Sequence, residues 1–234
     1  MRVVVLFSGG IDSYAGYLLA KRTYGYEHTI TPVYIDYKGK GCNKEKAIAK
    51  SLVPETVIID GVFDFTGKEE GDEAFLYARN LYFTTFVSRF ADMIYLCGLK
   101  NSEMLDNTKE FYQTATKVLS QIKGSLVQVT SPFIHMEKEE VVDMLFNDFG
   151  KETAITAITK TTSCHDPDED WCWNCPNCFY FLCAVWEYRD KLPYEMRFDN
   201  KEILKYYYQK SLDFKLPPVR TKTIKEIYHY FMDN

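Results

Sequence analysis

No stretch of the 234-residue chain holds the roughly 20 consecutive apolar residues that a membrane-spanning helix needs. Nor is the chain rich in positive charge. Its 28 Lys and Arg face 33 Asp and Glu, and the net charge of -5 excludes a surface given over as a whole to nucleic acid, though not a local basic patch. There is no low-complexity segment and no internal repeat. The apolar start, Met1 to Phe7, lacks a long apolar region and a small-residue cleavage site, so it is expected to be a strand and not a signal peptide. These absences lead to the expectation of a soluble, cytoplasmic protein with no membrane partner. An even set of cysteines is also lacking. Of the seven, Cys42 and Cys97 stand alone, while Cys164, Cys172, Cys175, Cys178 and Cys183 crowd together. In a cytoplasmic chain such clustering points to metal before disulfides.

What is present is ordinary globular composition, 46% hydrophobic and 26% charged, enough for one good-sized domain or one domain with an appendage. Apolar β-rich runs at Val3–Phe7, Thr29–Ile35, Thr56–Ile59, Met93–Cys97 and Leu126–Thr130 read as strands. Helical patterns alternate with them, at Ser13–Thr23, Lys44–Leu52, Asn80–Phe90, Asn107–Ile122 and Glu137–Phe149, the last ending at a capping Gly150. Residues 61–73 read as an acidic, mobile loop. The alternation predicts an α/β fold, an open doubly wound parallel sheet covered on both faces, with ligands at the carboxyl ends of its strands. From Ala154 the pattern changes to the cysteine cluster and then tyrosine-rich helices near 179–189, 201–210 and 224–232. Residues 1–153 are therefore read as an α/β domain, and 154–234 as a metal-binding and helical appendage packed on it.

Between the first strand and the first helix lies Ser8-Gly9-Gly10-Ile11-Asp12-Ser13. Paired glycines permit positive φ and a close approach to bare backbone. Successive N–H groups in such a turn, aided by the positive end of the following helix, form an anion nest. Ser8 and Ser13 add hydroxyl donors. The loop is a phosphate cradle, but it lacks the lysine and spacing of a Walker A loop. Asp12 beside a phosphate is repulsive unless a cation lies between, so Asp12 is expected to hold nucleotide-bound Mg²⁺. The plainer alternative is a glycine turn with Asp12 or Ser13 as a helix cap.

Cys164-x7-Cys172-x2-Cys175-x2-Cys178 supplies four sulfurs, the donor set of a closed structural zinc site, with Cys164 arriving from the end of a preceding strand. An iron–sulfur cluster or buried free cysteines are the alternatives. Cys183 is assigned to the core, and His165 is a spare donor.

The glycine loop resembles the SGGxDS loop of the PP-loop (N-type) ATP pyrophosphatases, which adenylate a substrate oxygen and release pyrophosphate. With the four cysteines near the C-terminus, the chain resembles the 7-cyano-7-deazaguanine synthase family of queuosine biosynthesis. Leu76–Phe83 is similar to its F-x-P-x-R-N-x-x-F, Asp106–Phe111 to its D-C-R-x-E-F, and Ser131-Pro132 through Lys138 and Glu140 to its T-P-x5-K-x-E. Ile35–Gly39 lies where the family has F-D-Y-G-Q. The resemblance implies an adenine-nucleotide α-hydrolase-like fold with a zinc knuckle and helical tail. It implies a ligase that uses ATP, Mg²⁺ and ammonia to turn 7-carboxy-7-deazaguanine into the nitrile, with Zn²⁺ as structural metal and a homodimer as assembly. In that reading Ser8, Gly9, Gly10, Asp12 and Ser13 hold phosphates and Mg²⁺, and Asp36 and Tyr37 help form the nucleotide site. Arg79 offers a cationic fork to phosphate or carboxylate, and Lys138 neutralises developing charge. A surface ion pair for Arg79, a solvated first-turn lysine at 138 and a turn role for Asp36 stand as alternatives.

The chain departs from the family where many members have D-x-S-G-Y-P-D-C-R. Here Met104-Leu105 stand where the family has Tyr-Pro and Thr108 where it has the arginine, and Ala78 replaces a glycine before Arg79. The departure supports a second reading, in which the same fold adenylates another carboxylate, on a peptide or protein. A tRNA-thiolating enzyme is a third, since residues 191–234 carry nine Lys/Arg among many tyrosines. Helices packing on the core or a second subunit account for that tail more simply. A non-enzymatic binding module is the remaining class.

Overall fold

The computed structural model describes residues 1–39, 41–64, 78–100, 104–164, 166, 171–213, 216 and 218–233. The acidic stretch from 65 to 73, Leu76-Tyr77, the first part of the 101–108 departure and His165 lie outside the described residues. Five strands form one sheet: Arg2–Leu6 (β1), Thr29–Ile35 (β2), Val57–Ile59 (β3), Met93–Tyr95 (β4) and Gln128–Thr130 (β5). Their order is β3-β2-β1-β4-β5, and every pairing is parallel. This is the doubly wound arrangement expected. Strand order reverses between β1 and β4, which makes the carboxyl ends of those two strands the place for a ligand.

The helices are Ile11–Tyr24 (α1), Cys42–Leu52 (α2), Arg79–Ser88 (α3), Lys109–Lys123 (α4), Lys138–Asp148 (α5), Lys151–Lys160 (α6), Pro176–Val185 (α7), Lys201–Leu212 (α8) and Pro218–Met232 (α9). Short 3₁₀ turns cover Leu105–Asn107 and Trp186–Lys191. Side chains alternate across β1, so Val3 and Val5 enter one apolar cluster and Val4 the other. The first cluster joins the sheet to α1, α5, α6, α7 and the tail through Phe133, Leu145, Ile158, Phe179, Trp186 and Ile227. The second lies with α3 and α4, through Phe83, Val87, Ala115 and Leu119. Pro32 sits inside β2 without breaking the ladder, because β3 pairs only with Val33, Tyr34 and Ile35, leaving β1 as the neighbour at Pro32.

Two features differ from expectation. β5 is shorter than its apolar run, since pairing with β4 begins at Gln128 and Leu126 is 68% exposed. Cys164 does not arrive from a strand. It follows α6, a helix that spans the composition change at Ala154 and buries Ala154, Ala157 and Ile158. The β-branched Ile and Thr of KETAITAITK weaken its local helical signal, and packing on α1 and α5 overrides that weakness.

Candidate active site and metal centre

The glycine loop joins β1 to α1 at the reversal of strand order. Gly9 has φ +79, and a Cβ there would lie 3.0 Å from Ile48 Cγ2, 3.1 Å from Ala49 N and 3.2 Å from Glu45 O on α2. Only glycine takes that backbone without strain. Ser13 Oγ donates to Gly10 O at 2.9 Å, and Ser8 Oγ lies 3.3 Å from Ser13 Oγ and accepts from Gly10 N at 3.4 Å. The hydroxyls are thus held over the start of α1. A second strap crosses the loop from far away in sequence, where Thr162 N donates to Gly9 O at 3.4 Å.

Asp12 stands one residue into α1. Its Oδ2 lies 3.1 Å from Lys138 Nζ, the first residue of α5. Its Oδ1 is buried and has no hydrogen-bond partner among the described residues. An orphaned carboxylate oxygen beside the glycine loop fits a bound cation, because burying it unsatisfied is costly.

Two cavities meet at this point. One, of about 230 Å³, is lined by Ser8, Asp12 and Ser13, by Tyr34 and Tyr37 around the end of β2, by Glu45 of α2 and by Arg79 and Phe83 of α3. The other, of about 340 Å³, is lined by Asp12, Lys100, Lys138, Ser163, Asn177, Tyr180 and Arg220, among others. Asp12 and Cys97 line both. Burial, and next the Asp12 carboxylate, push the Cys97 thiol up, so it stands between the cavities as a neutral group.

The expected site residues fall into separate places. Ser8, Asp12, Ser13, Tyr37 and Arg79 come together around the first cavity, and the Arg79 guanidinium stands 5.8 Å from the Tyr37 ring centre. Lys138 lines the second cavity and reaches the first only through Asp12. Asp36 is not among the lining residues. It is 1% exposed, and its carboxylate is engaged by Lys46 at 2.5 Å, by Lys38 Nζ at 3.4 Å and by Lys38 N at 3.1 Å. Burial would raise its pKa, but these bonds outweigh burial and hold it below the usual carboxylate range.

Other lining residues are not marked by the motifs. Glu45 accepts from Tyr34 Oη at 3.2 Å inside the first cavity, and burial pushes its carboxyl up despite the nearby Arg79. Ser163 immediately precedes Cys164, and Asn177 and Tyr180 flank Cys178, so the cysteine spacing could have pointed to them. Lys100, Glu137 and Arg220 carry no local signal.

The sulfurs of Cys164, Cys172, Cys175 and Cys178 all lie within 4.8 Å of one another. Cys172 Sγ and Cys178 Sγ are 3.8 Å apart. A tetrahedron with metal–sulfur bonds of about 2.3 Å has edges of about 3.8 Å, so the four thiols could close around one metal such as zinc. Backbone N–H groups already point at the sulfurs: Asp166 N and Cys172 N donate to Cys164 Sγ at 3.4 and 3.3 Å, and Cys178 N to Cys175 Sγ at 3.5 Å. Cys175 caps α7, with Pro176 in its first turn. The knuckle is tied to the loop side of the molecule. Lys44 Nζ donates to the carbonyls of Cys164 and Asp166, and Asn177 Nδ2 donates to Ser163 O at 2.8 Å. Cys183 stays in the core, 2% exposed.

Among the described residues, no helix is long and apolar enough to cross a membrane. The profile of the family described as queuosine biosynthesis protein QueC matches residues 64–188. Among similar proteins, one named 7-cyano-7-deazaguanine synthase from Methanocaldococcus jannaschii is 27% identical over 216 aligned positions, 76% of this chain and 91% of that protein. Proteins of the same name from Nitratiruptor sp. and Pyrococcus horikoshii are each 26% identical. They cover 83% and 76% of this chain, and 99% and 89% of their own lengths.

Proposed function

The chain belongs to the QueC family of queuosine biosynthesis, and from that premise we propose that it is an ATP-dependent carbon–nitrogen ligase making 7-cyano-7-deazaguanine from 7-carboxy-7-deazaguanine and ammonia. The observation that carries the reading is the meeting of two cavities at Asp12. One is bordered by Ser8, Asp12 and Ser13 of the glycine loop, and the other is lined by Lys100, Lys138 and Arg220 together with Asp12 and Glu137, so a nucleotide and an acceptor carboxylate can face each other across one carboxylate.

In this reading residues 1–153 supply the nucleotide cavity, and 154–234 supply the metal knuckle and part of the acceptor wall. Ser8, Gly9, Gly10 and Ser13 hold the phosphates with backbone and hydroxyl donors. Asp12 Oδ1 would hold Mg²⁺, which supplies charge neutralisation at the phosphates. Arg79, from its place in the first cavity, binds the nucleotide, with Tyr37 beneath its guanidinium. Asp36 acts on the nucleotide site indirectly, by tying the end of β2 to α2 through Lys46. Cys164, Cys172, Cys175 and Cys178 would hold Zn²⁺, whose full sulfur shell gives it a structural role.

The acceptor carboxylate oxygen attacks the α-phosphorus of ATP and pyrophosphate leaves. Ammonia then attacks the activated carbonyl carbon, AMP leaves, and an amide results. A second ATP activates the amide oxygen in the same way; loss of AMP and a proton leaves the nitrile. Lys138 stabilises negative charge as each oxygen–phosphorus bond forms. A cytoplasmic homodimer is the assembly this reading adopts. Thiolation is the weaker reading: four of the seven cysteines are drawn into the knuckle, and of the other three, Cys42 and Cys183 line neither cavity.

The test is incubation with ATP, Mg²⁺, ammonia and 7-carboxy-7-deazaguanine, with products read by mass spectrometry. A nitrile product with AMP and pyrophosphate is expected. Nucleotide binding without turnover of this acceptor would overturn the acceptor assignment. It would favour adenylation of another carboxylate, consistent with Met104-Leu105 in place of Tyr-Pro.

A further inference from the structure

The second cavity is closed on one side by a residue from the far end of the chain. Arg220 lies in the first turn of α9, beyond the region matched by the family profile. Its side chain is only 17% exposed. Nε donates to Glu139 Oε1 at 2.8 Å, and Nη2 donates to Glu139 Oε2 at 2.8 Å and to Glu137 Oε2 at 3.3 Å. The guanidinium carbon stands 5.7 Å from the centre of the Tyr180 ring, another residue of the cavity wall.

The manner of this grip matters. An arginine has five N–H donors in a planar fork. The side-on bond to Glu139 and the bond to Glu137 use the Nε and Nη2 edge, and Nη1 makes no hydrogen bond among the described residues. The fork is therefore locked in place by two carboxylates while one end is left for a ligand. A locked guanidinium loses little freedom on binding, so it selects by geometry. Charge in the cavity is already matched: Lys138 faces Asp12, Lys100 faces Glu137 at 3.9 Å, and Arg220 faces Glu139. An acceptor is then recognised by where its oxygens fall and not by a general excess of positive charge.

We propose that Arg220 is a specificity-determining residue of the acceptor cavity, its Nη1 donating to a carbonyl or carboxylate oxygen of the acceptor. This rests on the reading of the second cavity as the acceptor site. The C-terminal helices then complete the cavity: α8 and α9 pack on each other, and α9 delivers the guanidinium.

The experiment uses the full metal-loaded chain with a non-hydrolysable ATP analogue and 7-carboxy-7-deazaguanine, with both affinities measured by calorimetry. R220K keeps a cation for Glu139 and loses the fork. It should keep its metal and its nucleotide affinity within twofold, while acceptor affinity falls tenfold or more; in a separate turnover assay with ATP itself, the acceptor KM should rise far more than the ATP KM. R220M should show the same split, and if R220M fails to fold, R220K decides. Acceptor affinity of R220K within twofold of wild type would overturn the proposal alone. A wild-type chain that binds the nucleotide and not this acceptor would overturn the acceptor reading and the proposal together. Repeating the comparison with 7-deazaguanine, which lacks the carboxylate, locates the oxygen. A persisting R220K defect places it on the ring carbonyl, and its disappearance places it on the carboxylate.

Discussion

The two cavities on either side of Asp12 are built in opposite ways. Around the first, chemistry-bearing residues come mainly from strand ends and from the helices that immediately follow them: Ser8 and Ser13 after β1, Tyr37 after β2, and Glu45 on α2. Around the second, they come from positions 12, 100, 138, 163, 177, 180 and 220, scattered over most of the chain. Electrostatics differ in the same direction. In the first cavity burial pushes the Glu45 carboxyl up. Beside the second, burial of Glu139 is outweighed by the bidentate bond from Arg220, which holds its carboxyl below the usual range. A cavity walled by long cationic side chains needs fixed carboxylates to orient them.

Substituting the shared residue should erase the difference between the cavities. Asp12→Ala should lower kcat/KM by roughly 10²–10³-fold, followed as pyrophosphate release, while thermal unfolding stays close to wild type. Full activity in that variant would remove Asp12 from the chemistry. Metal removal should act next most strongly and on one side first. Chelation, or Cys178→Ser, should release one metal per chain by elemental analysis and lower Tm by on the order of 10 °C. Acceptor affinity should fall further than nucleotide affinity, because Ser163, Asn177 and Tyr180 ride on the knuckle. Equal losses would mean that the knuckle supports the whole fold and not one wall.

Gly9→Ala is the converse change. A Cβ at φ +79, pressed against the backbone of α2, should cost about 1–3 kcal/mol, read as a tenfold or greater loss of nucleotide affinity with acceptor affinity retained. The smallest effects concern the two carboxyls, and they should have opposite signs. Glu139 has a depressed folded pKa, so its stabilisation is present above the unfolded value of about 4.3 and is lost as pH falls through the folded value. Glu139→Gln should therefore lower Tm at pH 7 and flatten its acid dependence. Glu45 has a raised folded pKa, so its contribution is present below about 4.3 and is lost as pH rises through the folded value. Glu45→Gln should raise Tm slightly at pH 7, by about 2 °C, measured by calorimetry. A fall in that variant would show that its bond to Tyr34 matters more than its burial.

Much of the first cavity was legible because local sequence encodes it. A β-branched run, two glycines and a helix start specify a strand, a positive φ and a tight turn into a helix with little help from elsewhere. The four cysteines were equally legible, since two C-x2-C steps bring sulfurs together by local chain geometry. Asp36 was harder to read. Its position after β2 suggested a lining role, but Lys46, ten residues on, turns its carboxylate toward α2. The helix at 151–160 was hidden by β-branched residues whose helical state depends on burying Ala154, Ala157 and Ile158.

The sequence by itself determined the alternating α/β pattern, the glycine loop between β1 and α1 and the cluster of four cysteines, because each is set by short-range backbone preference or residue spacing. Tertiary structure alone decided that Thr162 straps Gly9, that Lys138 meets Asp12, and that Arg220 enters a cavity more than 80 residues from the glutamates that hold it. These contacts join elements whose separation along the chain carries no local signal. They exist only because burying the apolar faces of the helices against one sheet brings those side chains within a few ångströms.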